Sequence, residues 1–379
     1  MKILMMLSNP YMVDYRVSRE ATSLVEAGHE VCVIEWDRKK DYTPKDTVES
    51  VSLVRIHNKG LLKALPHDLL RNPFWWRAAY NMGIALYKKG FTFDAVHCHN
   101  LDTLVAGVLL KKKFGVKLVY DAHEIFGYMI AREMPPVIVR IALSMEKRLL
   151  PSVDQIITVN EPLQEYFRSI STKPITIIMN SKDLVSTEYI PPKNEVFTVC
   201  YIGVIHSSRM FPELVDVIGT IEKINFVIAG KKENLYDEVK KRCESYQNIK
   251  FLGPIPYSDV IPKTLASDAV ICMISPKDPN NKLGLANKQF EAMVCGRPII
   301  CTKGTYAGKL IEDLDCGLVV DYSKESLKEA IITLRDNPIL CRDFGKRALQ
   351  AALTQYNWRK DKEKLINLYK TLLMDNTKT

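Results

Sequence analysis

Lys288 and Glu291 stand three residues apart at the head of the segment Asn287 to Lys303, NKQFEAMVCGRPIICTK, which otherwise reads as buried. Asn287 is a good N-cap. A helix from Lys288 to Val294 stops at Gly296 and feeds the apolar strand RPIICT. In a parallel α/β sheet such a helix starts at the carboxyl edge of the strands, where ligands bind. Its free N–H groups attract phosphate. Lys288 adds a point charge there, and Glu291, one turn in, can accept two hydroxyls of the kind a ribose offers. The other reading is a capped helix with an acid near the positive end of the dipole. Residue types alone leave both open.

Other groups could also carry chemistry. His123, in YDAHE, follows a strand at its carboxyl end, with Glu124 beside it as a weaker partner; by itself such a histidine is equally a satisfied structural residue. His97 and His99, in VHCHN, share one strand face. Alternation on one strand rarely supplies three tetrahedral ligands, so no metal is expected, and His99 is expected to orient the loop around Asn100. Asp14 and Arg16 follow the first strand and are candidates for the acceptor side of a cleft; Asp14 is equally a helix cap. EDLD, Glu312 to Asp315, offers Asp-x-Asp but ends a helix just before Gly317. The segment Leu61 to Gly90 surrounds Trp75 and Trp76 with Lys63, Arg71, Arg77, Lys88 and Lys89. It reads either as an interfacial membrane helix or as a core helix with a charged outer face.

The elements that position these residues alternate along 379 residues, a length that suggests two domains. KILMML, EVCVIE, AVHCH, KLVYDAHE and QIITVN read as buried strands, with VSREATSLVEAGH and LVAGVLLKKKFG as helices between them. Continuous rather than alternating apolar strands indicate a parallel sheet covered on both faces. The pattern breaks at STEYIPPKNE, Ser186 to Glu195, and resumes with FTVCYIG, NFVIAG, IKFLG, DAVICMI, RPIICT and GLVV. Two doubly wound Rossmann-like α/β domains facing a cleft are expected. They span residues 1–190 and 191–356, with a closing helix at about 357–379. The nine cysteines form no C-x-x-C pair and lie mostly in apolar runs, which fits a reducing, cytoplasmic compartment. The start lacks the long apolar region of a signal peptide. A formal net charge of +9 permits phosphates or acidic lipid as partners without choosing between them.

The run Asn-Lys-x-Phe-Glu-Ala-Met-x-x-Gly-x-Pro-Ile-Ile resembles the nucleotide-sugar motif of the family 4 glycosyltransferases, which have the two-domain GT-B fold. DYRVSREATSLVEAGHEVCVIEW and VHCHNLDTLVAGVLLKKKFGVKLVYDAHE resemble the acceptor domain. FTVCYIGVIHSSRMFPELVDVI, FVIAG and NIKFLGPIPYSDVIPKTLASDAVICMI resemble the donor domain, and YNWRKDKEKLINLY the closing helix. The joint order is more specific than any one motif. The resemblance implies that Glu291 holds the donor ribose, and that Gly203, Arg209 and Lys288 complete the donor site. It gives Arg209 the leaving diphosphate, which an arginine fork suits, and puts His123 beside the donor sugar as a catalytic residue. Two positions depart from the family. Leu283 stands eight residues before Glu291, where many members carry a second acid, and Val204 stands where a second basic residue commonly follows Gly203. Lys288 is then left to supply that charge.

The expected activity is transfer of a sugar, with retention, from a nucleotide-diphosphate sugar to a glycan or lipid-linked acceptor. No metal or other cofactor is expected, because positive side chains and helix dipoles offset the diphosphate. An anionic membrane surface is a candidate partner, with the chain peripheral on its cytosolic face; nucleic acid is not expected. The rivals are a nucleotide-sugar epimerase, for which no acid and base flanking a sugar carbon are evident, and a non-catalytic nucleotide-sugar binder, which Leu283 and Val204 keep open. A dehydrogenase would need G-x-G-x-x-G, absent from LSNPYMVDYR.

Overall fold

A computed structural model of the chain describes residues 1–57 and 68–376. These fall into two compact units, Met1–Met179 with the chain from Asp361 onward, and Asn180–Lys360. The first unit holds strands β1 (Lys2–Leu7), β2 (Glu30–Asp37), β3 (Lys45–Val48), β4 (Val51–His57), β5 (Ala95–His99), β6 (Lys117–Ala122), β7 (Gln155–Thr158) and β8 (Ile175–Ile177). Their order is β3-β4-β2-β1-β5-β6-β7-β8, parallel throughout except for β3 against β4. The second holds β9 (Phe197–Ile202), β10 (Ile224–Ala229), β11 (Ile249–Gly253), β12 (Ala269–Cys272), β13 (Ile299–Thr302) and β14 (Gly317–Val320). That sheet is fully parallel, in the order β11-β10-β9-β12-β13-β14.

Each sheet is wound outward from its middle in both directions. Winding reverses between β1 and β5 in the first unit and between β9 and β12 in the second. At such a switch point the crossovers leave in opposite directions and open a crevice at the strand carboxyl ends. The apolar runs of the sequence become the buried strands around it: five of six residues in β1, and all of β5, β12 and β13. Helices lie between them as their patterns require. Tyr15–Glu26 is capped by Asp14, whose carboxylate accepts from Val17 N at 3.2 Å, and Leu101–Phe114 stops at Gly115 with φ 70°. The EDLD stretch closes helix Tyr306–Asp313 just before β14.

The break at Ser186 to Glu195 is not a free tether between the units. It packs on the second one: Arg297 Nη1 donates to Ile190 O at 2.9 Å, and Asn194 Nδ2 to Ala266 O at 2.9 Å. The boundary therefore falls at Met179/Asn180, because the buried Arg297 needs backbone acceptors from this segment. The closing helix, Trp358–Asn376, joins the first unit from Asp361 onward, where Tyr369 OH meets His97 Nδ1 at 2.9 Å.

Of the tryptophans of the segment Leu61 to Gly90, Trp75 is a core residue rather than an interfacial one, and Trp76 is half-buried. Lys63 lies outside the described residues. Trp75 is 1% exposed and stacks on Trp36 at 5.2 Å between ring centroids. Trp75 and Trp76 both donate their indole N–H to Asp102 O, at 3.0 and 2.8 Å. Trp75, at this depth, has no apolar face left for lipid. Phe74, Arg77, Lys88 and Lys89 remain exposed. Trp75→Ala should lower unfolding stability by roughly 3–5 kcal/mol, as for other buried tryptophans cut to alanine. Urea titration followed by circular dichroism measures this, and a loss under 1 kcal/mol would return Trp75 to the surface.

Candidate active site

The second unit gathers its expected residues at the β9/β12 switch point. β9 ends at Gly203, which has φ 152°, and the chain then turns through Val204 into a short 3-10 turn, Ser207–Arg209. Ser275 N, after β12, donates to Ser208 O at 2.8 Å and ties the two loops across the crevice. Helix Asn287–Val294 also begins at this edge. Its cap is Ala286 rather than Asn287: the helix starts one residue early, and the Gln289 side chain accepts from Ala286 N at 3.0 Å.

Lys288 lies in the first turn, 8% exposed, with Nζ over the Tyr201 ring at 4.1 Å. A Cβ at Gly203 would come within 3.1 Å of that Nζ, so the glycine leaves room for the ammonium. Arg209 is half-buried, and no ion pair engages its guanidinium among the described residues. Both cations are felt by the buried Cys272 thiol. It is drawn down to about 7, first by its hydrogen bond with Cys301 and then, against burial, by Lys288 and Arg209. Two positive charges and a helix N-terminus at one sheet edge suit a diphosphate.

Glu291 is 5% exposed, with Oε1 3.5 Å from Lys182 Nζ. It falls beyond the first turn of its helix, where the dipole effect has faded, so dipole stabilisation does not account for it. Leu283, at the end of helix Pro279–Leu283, is half-buried, and Val204 is 44% exposed.

In the first unit, His123 follows β6, with Glu124 half-buried beside it. The backbone N of His123 donates to Asn100 Oδ1 at 3.2 Å, which ties the loop after β6 to the loop after β5. Nε2 of His123 lies 3.1 Å from Asp121 Oδ2 and 3.3 Å from His99 Nδ1. Asp121 is the hub. Arg16 grips it with Nε to Oδ2 at 3.0 Å and Nη2 to Oδ1 at 2.8 Å, and His99 Nδ1 approaches at 3.2 Å. Arg16 also meets Glu20 at 3.1 Å and donates to Ile178 O at 2.9 Å. Its side chain is 6% exposed, and its guanidinium is an internal ion-pair partner of Asp121 and Glu20. Asp14 likewise spends its carboxylate on the helix cap.

Burial pushes both carboxyls up, but Arg16 holds Asp121 well below the usual range while Glu20 stays well above it. One guanidinium forks onto Asp121 and only touches Glu20, so Asp121 keeps the charge and Glu20 the proton. Glu20, His97, His99 and Asp121 have ligating atoms within 4.8 Å of one another. The Arg16 charge already compensates this carboxylate pair, and a cation there would sit against a guanidinium. The set reads as an ion-pair network. A sequence signal for Asp121 existed: residues i and i−2 of a strand share a face, which puts Asp121 under His123. Glu20, Tyr369 and Lys182 gave none, since each is brought in from a distant element.

His97 is held well below its ordinary value, chiefly by burial and then by His99, and burial also lowers His99. A histidine buried neutral must take up a proton on unfolding in acid. Its folded value lies below its unfolded one, near 6.5, so the stability it withholds grows as pH falls under about 6.5. The melting temperature should decline between about pH 6.5 and 5. His97→Gln should show a shallower decline in that window; identical slopes by scanning calorimetry would exclude His97 as its source.

Two family models match the chain. Residues 189–351 match "Glycosyl transferases group 1" and residues 13–180 match "Glycosyl transferase 4-like domain". An uncharacterized glycosyltransferase of Methanocaldococcus jannaschii is 21% identical over 343 residues, 84% of this chain and 85% of that protein. Among solved structures, the sucrose-phosphate synthase of Thermosynechococcus elongatus superposes with a TM-score of 0.80 at 16% identity, over 99% of this chain and 100% of that one. HepE of Anabaena, solved with UDP-glucose, superposes at 0.71 and 15% identity, over 98% and 100%. With both halves matched in order, the chain belongs to the glycosyltransferases of the family 4 type and has the GT-B fold.

Proposed function

We propose that this glycosyltransferase moves a sugar, with retention, from a nucleotide-diphosphate sugar held by its second unit to a glycan or lipid-linked acceptor. The observation that carries the reading is the pairing of two cations, Lys288 and Arg209, with the acid Glu291 around the β9/β12 switch point. Cations at a helix N-terminus suit a diphosphate, and a buried carboxylate in the same helix suits a ribose. HepE, of the same fold, is bound to UDP-glucose in its crystals. In the proposed step the bond from the sugar's anomeric carbon to the β-phosphate oxygen breaks. The acceptor hydroxyl bonds to that carbon on the same face, and its proton passes to the departing phosphate oxygen. Arg209 and Lys288 meet the growing charge, a role that needs no metal ion. His123, held by Asp121 and His99, keeps the catalytic role that the family resemblance gives it.

Glu291→Gln keeps size but removes the charged acceptor. A hydrogen bond to a charged group is worth about 1.5–3 kcal/mol, so affinity for the preferred nucleotide-diphosphate sugar should fall roughly ten- to a hundredfold in the folded variant. Arg209→Ala should lower turnover more than donor binding, because diphosphate charge rises as the bond breaks. Thermal-shift screening finds the donor, calorimetry and single-turnover assays read the variants, and NMR of the product's anomeric proton tests retention. Unchanged donor affinity in Glu291→Gln would remove the ribose assignment.

The lipid-linked form of the acceptor rests on helix Pro136–Leu149 rather than on the tryptophans. Val137 and Ile141 are 59% and 58% exposed there, beside exposed Arg140, Lys147 and Arg148. Apolar tips among cations suit an anionic lipid surface, with an attraction of about 1 kcal/mol per basic residue that salt screens. Sedimentation with phosphatidylserine vesicles should show binding at low salt that falls in Val137→Ser/Ile141→Ser. No binding by the folded wild type would favour a soluble glycan acceptor.

A further inference from the structure

The carboxylate of Glu291 has one neighbour that the motif did not announce. Lys182 Nζ lies 3.5 Å from Glu291 Oε1, with 8% and 7% of the two side chains exposed. The same ammonium donates to Tyr257 OH at 2.9 Å. Lys182 is held by its backbone as well. Its carbonyl accepts from Trp358 N at 2.9 Å, and the residue pairs with Asn357 in an isolated parallel bridge. Asn357 is anchored in turn by its side-chain amide on Ala352 O at 2.6 Å.

Burying a lysine costs both desolvation and the rotamer freedom of a long chain. The cost is recovered only if the partner needs the charge. Glu291 is such a partner, since a carboxylate this buried is unfavourable without a compensating cation. Lys182 engages only Oε1, at ion-pair distance. Among the described residues no hydrogen bond takes the other oxygen. The arrangement therefore fixes the plane of the carboxylate from one side and leaves acceptor capacity on the other. Tyr257 sets where the ammonium stands, because its hydroxyl is the shorter of the two contacts.

We infer that Lys182 is a positioning residue for donor recognition: through its ion pair it fixes Glu291 to accept the cis-diol of a nucleoside ribose. The inference rests on the reading of Glu291 given above. It makes selectivity for ribose, rather than affinity for the diphosphate, the property that depends on Lys182.

The test compares two probes by titration calorimetry on the full-length protein: UDP or GDP, whichever gives the larger thermal shift, and its 2′,3′-dideoxy counterpart. Wild type should prefer the ribose form by roughly tenfold or more, as expected for hydrogen bonds to a charged group. Absence of that preference would overturn the Glu291 reading, and the Lys182 inference with it. Given the preference, Lys182→Met should bring the ratio to within about threefold of unity while leaving dideoxy binding unchanged. It should add nothing further in a Glu291→Gln background. A purely structural ion pair would instead leave the ratio unchanged in the folded Lys182→Met variant; that outcome overturns the inference. A ratio that rises, meaning that Lys182 competes with ribose for the carboxylate, overturns it too. If Lys182→Met does not fold, Lys182→Arg keeps the charge but moves it along a longer, planar side chain. Its ratio should fall severalfold, and an unchanged ratio in that folded variant overturns the inference.

Discussion

Parallel pairing is the constraint from which the rest follows. A parallel strand needs a crossover to return to its own start, so helices cover both faces of each sheet and the central strands are buried. Polar chemistry is then confined to the carboxyl edge, where strands end and helices begin. The residues singled out for chemistry sit there in both units: Asp14, His123 and Glu124 after β1 and β6, and Gly203, Arg209 and Lys288 after β9 and in the crossover from β12 to β13. Residues of opposite halves of a unit meet only because winding reverses at the switch point.

The two edges handle buried charge differently. In the first unit Arg16, His99 and His123 all engage Asp121, and Tyr369 meets His97, while Nε2 of His97 and of His99 is buried without a hydrogen-bond partner among the described residues. Such a set fixes side chains more than it stabilises, since desolvation offsets much of the Coulombic gain. What it fixes is the ring of His123, which Asp121 and His99 hold from below. In the second unit the charges are left with capacity to spare. Arg209 has no ion-pair partner among the described residues, Lys288 rests only on an aromatic face, and Glu291 is engaged through one oxygen. Charges gathered on one carboxylate suit a support, and charges left with spare capacity suit a ligand that brings its own charge.

The departures at Leu283 and Val204 take their meaning from this geometry. Val204 is exposed on the turn after β9, so no cation is contributed from that position. The ammonium of Lys288 stands beside Gly203 instead, where the missing side chain of the glycine admits it. The charge at the β9 loop therefore comes from the helix that also carries Glu291, which links phosphate and ribose recognition through one rigid element.

The sequence alone determined the class of fold, because apolar runs without alternation can only be strands covered on both faces. It placed nearly every central strand, from KILMML to GLVV. It also brought out the helix that holds Lys288 and Glu291, since N-terminal polar residues, an apolar body and a glycine stop are local signals. β3 and β8 escaped it, being short edge strands whose identity depends on a neighbour to pair with, and so did β4 beside β3. So did the burial of Trp75, because an aromatic and basic helix has the same composition whether it meets lipid or a core; only Trp36 and the carbonyl of Asp102 decide. The boundary near Met179 and the fate of Arg16 are of the same kind. Lys182 shows the limit most plainly. It lies over a hundred positions from Glu291 in a stretch with no motif, and the pair exists because the second unit folds that stretch against the helix of Glu291. Local pattern records what a segment must bury, whereas the partner of a buried charge is chosen by the tertiary fold.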